Sequence, residues 1–233
     1  MDKKQFEGLM ASAVNDAELR SSEIPAIDLY VDQIINLHTE KLKTGDERFF
    51  DRQLTKTMIN NYAKDRVITP VKGKKYTKEQ IIQILFIYTL KGTLSIGEIK
   101  RLLDGAYAIE GFDGERLTEL YDKYSSIKDD IRDYSTTVAS KMLESCSLDI
   151  ENDEDYIATV MNFVAMSAFM KNIAQAMIAE RYPEPEPEDD SEKKEKDKEK
   201  KDKKDKKEKE KKEKKEKKKG DEPSEKKTEK DNK

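Results

Sequence analysis

The residues whose types suggest a chemical role are concentrated between positions 52 and 78. This segment holds eight Lys and Arg residues against a single acid, Asp65, so its net charge is +7. The rest of residues 1–182 is acidic, with a net charge of −13. Locally clustered cations are what phosphate binding requires, whatever the overall charge of the chain. The first functional hypothesis is therefore a site that binds phosphate groups.

The spacing of residues 55–66 predicts a helix with one polar arc. Thr55 can cap its start, and at about 100° per residue Met58, Ile59 and Tyr62 fall on one side. The opposite arc carries two Lys, two Asn and one Thr, and it contains no acid. These residues are Lys56, Thr57, Asn60, Asn61 and Lys64.

That arc has the side chains of a DNA-recognition helix. Asn can form a bidentate pair with adenine, Thr can contact a thymine methyl group, and Lys can neutralise phosphate. A Lys-rich turn follows the helix and could contact the DNA backbone as a wing. The alternative is a solvated surface helix, because any surface helix turns polar residues outward. The candidate DNA-binding residues are Lys56, Thr57, Asn60, Asn61, Tyr62, Lys64, Arg66, Lys72, Lys74, Lys75 and Tyr76.

Helical spacing also dominates the rest of the chain. Ile24-Pro25 predicts the start of a first helix that continues to Leu42, followed by a polar loop over 43–53. Thr77, with Gln80 three residues on, predicts a capping box before a helix buried on all sides. Beyond it we expect a short helix over 96–103, an irregular segment over 105–114, and two long helices over 115–146 and 155–182. Acids over 149–155 favour the start of the last helix.

The last 51 residues, 183–233, contain no Ala, Val, Ile, Leu, Met, Phe, Trp, Tyr or Cys. Only residues 1–182 can therefore bury a core. Residues 192–219 are consecutive Lys, Glu or Asp with a net charge of +8, which predicts a disordered, solvated tail. The alternative role is a weak, salt-sensitive contact with nucleic acid.

The chain lacks the residues of most catalytic and metal sites. It has one cysteine, Cys146, and one histidine, His38, which excludes an internal disulfide and a multi-cysteine metal site. His38 lies on an apolar stripe and is expected to be packed or partly exposed rather than catalytic. No Walker loop, Gly-rich dinucleotide turn or nucleophile elbow occurs. We expect no enzymatic activity, no metal and no cofactor.

The N-terminal residues and the last predicted helix bear on the cellular location and the oligomeric state of the protein. The first 19 residues have no apolar run typical of a signal peptide. Residues 157–179 come nearest to a membrane span, but they contain Lys171 and several polar residues. We therefore predict a cytoplasmic protein without membrane contact. The small and Met-rich last helix would suit a homodimer interface; the sequence identifies no effector.

Three motifs resemble the MerR-type winged helix–turn–helix. Val67-Ile68-Thr69-Pro70 is similar to the family's Leu-Leu-x-Pro, Tyr76-Thr77-Lys78-Glu79 to its Tyr-Ser/Thr-x-Glu, and Ser95-Ile96-Gly97-Glu98-Ile99 to its Ser-Leu-x-Glu-Ile. Tyr62 matches the second Tyr of the family's Arg-Tyr-Tyr-Glu. The resemblance implies double-stranded DNA as a partner and a role in transcription regulation. Asn60, Asn61 and Ala63 depart from the family's Arg, Tyr and Glu, and Arg66 replaces its usual Gly.

Two further stretches, Ile24 to Gln33 and Leu54 to Tyr62, resemble an uncharacterised family of Gram-positive bacterial proteins defined by a domain of unknown function. This resemblance covers about residues 20–105 and implies no activity. We therefore predict an all-α protein with four parts: an N-terminal extension (1–20), a MerR-like helix–turn–helix domain (21–105), a helical C-terminal region (106–182) and a disordered tail (183–233). The alternative function is a helical interaction protein that does not bind DNA.

Overall fold

The computed structural model of the chain describes residues 1–15, 17–46 and 53–185, and this part is mostly helical, which confirms the helical class. Residues 1–184 form one compact unit. The predicted tail lies outside the described residues from position 186 onward. The elements are α1 (Lys3–Ala13), a 3-10 helix (Ser21–Glu23), β1 (Leu29–Tyr30), α2 (Val31–Leu42), α3 (Lys56–Lys64), β2 (Lys75–Tyr76), α4 (Lys78–Leu90), α5 (Ile96–Tyr107), α6 (Gly114–Ser145) and α7 (Asp153–Arg181).

Helix α4 is the centre of the core, as its sequence predicts. Its N-cap Thr77 accepts a hydrogen bond from the Gln80 N–H, and the Gln80 side chain accepts one from the Thr77 N–H, at 3.3 and 3.0 Å. Every residue from 80 to 87 is buried. The burial of each large apolar side chain stabilises the fold by about 1.5–3 kcal/mol. The other elements are therefore arranged around α4.

The two long helices pack mainly on α4 and α5. Helix α6 packs against α4, and α7 packs against α5. Tyr121 of α6 lies edge-to-face on Phe86 of α4, with 5.1 Å between ring centroids. Its hydroxyl donates to the carbonyl of Leu19 at 2.6 Å. Asn152 caps α7, whose first turn is acidic, as the charge pattern predicts.

The predicted start of the first helix was wrong. Helix α2 begins at Val31, and residues 24–28 form no helix. Leu29 and Tyr30 instead form β1, which pairs antiparallel with β2. Ile27, placed on the apolar stripe by its spacing, is 68% exposed. Pairing with a strand 46 residues later supplies the backbone hydrogen bonds that a helical turn would have made.

Two further boundaries differ from those predicted. The N-terminal extension contains α1, whose Phe6 stacks on Phe163 of α7 with 6.5 Å between centroids. Helix α5 continues to Tyr107, so the predicted boundary at residue 105 falls inside its last turn. The connection from α2 to α3 spans residues 43–55, much longer than the three or four residues usual in a helix–turn–helix. Part of the predicted polar loop, 47–52, lies outside the described residues.

His38 of α2 is buried in the core, which is the first of the two positions that the apolar stripe allows. It is 4% exposed, and its ring lies edge-to-face on Tyr88 with 4.4 Å between centroids. Its Nδ1 atom has no hydrogen-bond partner among the described residues. Burial lowers the pKa of His38 to about 4, so the folded state favours the neutral ring.

This burial predicts a specific acid sensitivity. Because the folded pKa lies below the ordinary value, His38 contributes full stability above about pH 6.5 and loses it as the pH falls toward 4. Between pH 8 and pH 5, urea unfolding should show the wild type losing about 2 kcal/mol more than His38→Phe. The variant is a clean reference because the chain has no other histidine. Equal losses in the two proteins would contradict a buried neutral imidazole.

Candidate nucleic-acid interface

Helix α3 presents the predicted polar arc to solvent. Thr55 caps the helix by accepting a hydrogen bond from the Met58 N–H at 3.3 Å. Ile59 is fully buried, and Met58 and Ala63 pack against the core. All five residues of the arc are exposed: Lys56, Thr57, Asn60, Asn61 and Lys64. The arc therefore carries donors, acceptors and positive charge on one accessible side.

Two of the predicted DNA contacts are corrected by burial. Tyr62 is 4% exposed and Tyr76 is 7% exposed, and both rings belong to the main core. Burial raises the pKa of Tyr62 to about 12, helped by the nearby Tyr88 hydroxyl. The match of Tyr62 to a family motif thus marks a core position here. Neither ring is available to a ligand at the surface.

The chain leaves α3 through a helix-ending motif with Arg66 in a left-handed conformation. The N–H of Val67 donates to the Tyr62 carbonyl at 2.9 Å, and that of Arg66 donates to the Ala63 carbonyl at 3.2 Å. This is a Schellman motif, in which Gly is usual at the position that Arg66 occupies with φ of 54°. Arg66 is exposed, so an Arg here adds a surface cation at the cost of backbone strain.

The next residues return to the core and join α3 to the Lys-rich turn. Val67 and Ile68 are buried. Two side chains of α4 bind the following segment: Gln83 Oε1 accepts from the Thr69 N–H at 2.8 Å, and Gln80 Nε2 donates to the Pro70 carbonyl at 3.0 Å. Gln83 Nε2 also bonds to the Tyr107 hydroxyl. The middle of this segment, at Thr69 and Pro70, is therefore held in place by α4.

The Lys-rich turn is a short connection into β2. Gly73 has φ of 77°, a conformation that other residues rarely adopt. The pairing of β2 with β1 holds the turn against the start of α2. Lys75 Nζ lies 5.1 Å from the centroid of the Tyr30 ring, a cation–π contact. Lys72, Lys74 and Lys75 are all exposed.

We call the exposed residues of α3 and of this turn the basic surface: Lys56, Thr57, Asn60, Asn61, Lys64, Arg66, Lys72, Lys74 and Lys75. Its six cations form no ion pair with any other residue in the described ranges. Cations elsewhere often do, as Lys41 does with Glu23 at 2.7 Å. One acid, Asp65, lies exposed between Lys64 and Arg66. The predicted cation Arg52 lies outside the described residues.

Sequence reasoning missed Gln83, one of the two glutamines that hold this surface in place. Gln83 is 1% exposed, and its amide joins Thr69 to Tyr107. The Tyr107 hydroxyl in turn donates to Glu79 Oε1 at 2.6 Å. One signal was present: a glutamine in the middle of a helix that is apolar on all sides requires a buried hydrogen-bond partner.

Other kinds of site find little support among the described residues. They contain no group of three or more His, Cys, Asp or Glu side chains arranged to hold a metal ion. Two open clefts lie between α1 and the C-terminal part of α6, lined by side chains such as Glu7, Lys141 and Glu144. Cys146 is exposed at the end of α6. Neither feature joins the basic surface.

Comparison with known proteins supports one family relationship. A family model described as "Domain of unknown function (DUF1836)" matches residues 19–124, which supports placing this region in an uncharacterised family. No curated protein and no solved structure gives a significant match to the chain. The matched range runs from before the 3-10 helix into α6 and so includes the whole basic surface and α4.

The burial of Tyr62 generates a prediction that separates core from interface. Its hydroxyl has no hydrogen-bond partner in the described part of the chain, and an unsatisfied buried polar group costs about 1–3 kcal/mol. Tyr62→Phe should therefore leave the free energy of unfolding unchanged or raise it, as measured by urea denaturation. Retention of DNA fragments should also be unchanged. If the Tyr62→Phe protein is stable but retains less DNA, the Tyr62 hydroxyl belongs to the interface and the assignment to the core alone is wrong.

Proposed function

We propose that this protein binds double-stranded DNA in a sequence-specific manner through the basic surface and acts as a transcription regulator. The observation that supports it best is the exposed, acid-free arc of α3, anchored by buried Ile59 and Tyr62. A nine-residue helix is about 13 Å long, and an α-helix fits the major groove of B-DNA. In this proposal Thr57, Asn60 and Asn61 contact bases.

The cations of the basic surface would bind the DNA backbone. Lys56 and Lys64 flank the asparagines on α3, and the turn places Lys72, Lys74 and Lys75 on the segment that follows. Held by Gln80 and Gln83, the two groups approach a duplex with fixed spacing. Such contacts position a protein on DNA and carry little sequence information. The long connection between α2 and α3 leaves α2 without an assigned role in DNA contact.

The asparagine role is tested by sequencing what the protein retains. The full chain is incubated with fragmented genomic DNA at near-physiological salt, and the enriched motif is then used for binding measurements. Asn60→Ala or Asn61→Ala should cost about 1–3 kcal/mol on that motif and little on random duplex. Asn162→Ala is the matched control, because Asn162 is exposed on α7, outside the basic surface. Equal losses on motif and random DNA would refute base reading by α3.

The proposed role of the lysines in binding phosphate is tested by the salt dependence of DNA binding. Replacing Lys72 or Lys74 with Ala should weaken binding to all sequences alike and lower the slope of log affinity against log salt by about 1 per residue. Lys141→Ala, an exposed substitution on α6, should leave the slope unchanged. The tail is present in every variant, so its own contribution cancels. An unchanged slope in the Lys72 and Lys74 variants would show that the turn does not touch phosphate.

A helical interaction protein that does not bind DNA is the second candidate function. The observation that favours it is the exposure of apolar side chains on α6 and α7, such as Ile131, Met161 and Phe169. Under this alternative, a captured partner should be lost when those faces are changed and retained in a Lys74/Lys75 double Ala variant. Loss on the lysine substitutions alone would count against it.

A further inference from the structure

Three of the exposed residues of α3 are poor helix formers. Thr57, Asn60 and Asn61 all face solvent in a helix of only nine residues. Thr and Asn are less favourable than Ala in a helix, Asn because its amide competes for backbone hydrogen bonds. Within the described ranges, neither amide and no atom of the Thr57 hydroxyl makes a hydrogen bond. The helix therefore carries these residues at a cost to its own stability, which a ligand outside the chain would explain.

The chemistry of these side chains favours particular bases. An Asn amide matches the N6 donor and N7 acceptor of adenine, and the methyl group of Thr can pack on that of thymine. Guanine is most often read by Arg or Lys, and cytosine by Glu or Asp. Helix α3 contains no Arg, Glu or Asp, and its two lysines are its first and last residues. The middle of the helix is therefore suited to A·T base pairs.

The two lysines are placed for phosphates rather than for bases. Asn60 is the central residue of the helix, and Lys56 and Lys64 lie about 6 Å to either side of it along the axis. Their separation of about 12 Å equals the width of the major groove of B-DNA. With Asn60 over the centre of the groove, both lysines come close to the backbones. Asp65, the one acid at this end, is the C-cap and lies beyond Lys64.

The angle between the two asparagines gives them different targets. Consecutive residues of a helix point about 100° apart, so Asn60 and Asn61 diverge toward the two sides of the groove floor. Thr57 lies between them in direction and about 5 Å away along the axis. Neighbouring base pairs are about 3.4 Å apart. The three side chains would therefore cover two or three adjacent base pairs, with one asparagine directed to each strand.

We infer that the DNA site of this protein has a core of adjacent A·T pairs, in which Asn60 and Asn61 read adenines on opposite strands and Thr57 contacts a thymine methyl group. This assignment rests on the proposed function and adds the identity of the bases to it. Double-stranded RNA would not serve as the ligand, because its major groove is too deep and narrow for side chains to read.

Base analogues test the assignment atom by atom. The full chain first selects a motif from a random duplex library at near-physiological salt, and we expect its core to be A·T with adenines on both strands. In that motif, 7-deaza-adenine removes the N7 acceptor, and uracil in place of thymine removes the methyl group. At the contacted positions each analogue should weaken binding by the wild type about fivefold or more. Replacing any guanine of the motif with 7-deazaguanine should have no effect.

Protein variants then connect each analogue to one side chain. Asn60→Ala and Asn61→Ala should each become insensitive to 7-deaza-adenine at one position, and the two positions should lie on opposite strands. Thr57→Ser keeps the hydroxyl and should lose only the preference for thymine over uracil. Asn162→Ala, an exposed substitution on α7, is the matched control and should keep every preference. Both variants of the α3 asparagines should unfold at the same or a higher urea concentration than the wild type, because Ala is the better helix former.

The outcomes separate this inference from the proposed function. A selected motif with a G·C core, or wild-type binding that is indifferent to 7-deaza-adenine, would overturn the base assignment and leave sequence-specific binding intact. Asparagine variants that unfold at lower urea concentrations and keep their sensitivity to the analogues would also overturn it, since the amides would then be structural. Failure to select any motif would refute the proposed function itself, and the base assignment with it.

Discussion

The arrangement of the basic surface depends on two buried glutamine amides of α4. Gln80 donates to the carbonyl of Pro70, and Gln83 accepts from the N–H of Thr69, so the segment between α3 and the Lys-rich turn is bound directly to the central helix. Loss of either amide would remove these hydrogen bonds, each of which contributes about 0.5–1.5 kcal/mol to stability. Because Thr69 and Pro70 are fixed in this way, the backbone that joins the cations of α3 to those of the turn is held in one arrangement.

The same central helix explains why the rest of the fold divides into two kinds of surface. Helix α4 is buried on every side, so its neighbours supply core contacts all around it. Helix α3 is short and gives its whole apolar side to the core, which leaves only polar residues exposed. Helices α6 and α7 are about three times as long as α3 and more than twice as long as α4. The core cannot cover their full length, so many of their apolar residues remain exposed. One surface is thus suited to a charged ligand and the other to an apolar one.

Much of this organisation can be predicted from short-range patterns. Thr55 and Thr77 act as caps at the predicted positions, and the exposed and buried sides of α3 follow from its helical angles. The predicted start of α2 was wrong because residues 29 and 30 pair with residues 75 and 76. Patterns between neighbouring residues do not reveal a contact between positions so far apart in the sequence. Tyr62 and Tyr76 were assigned to the interface by motif, but both rings are in the core.

By itself, the sequence determined where most helices begin and end, which segment is basic, and which side of α3 is polar. Caps, helical periodicity and charge act between residues a few positions apart, so they can be read directly from the chain. Only the tertiary structure decided which side chains remain accessible, that Gln83 joins Thr69 to Tyr107, and that α6 and α7 keep exposed apolar faces. Burial depends on residues far apart in sequence, and their packing is settled only when the whole unit has folded.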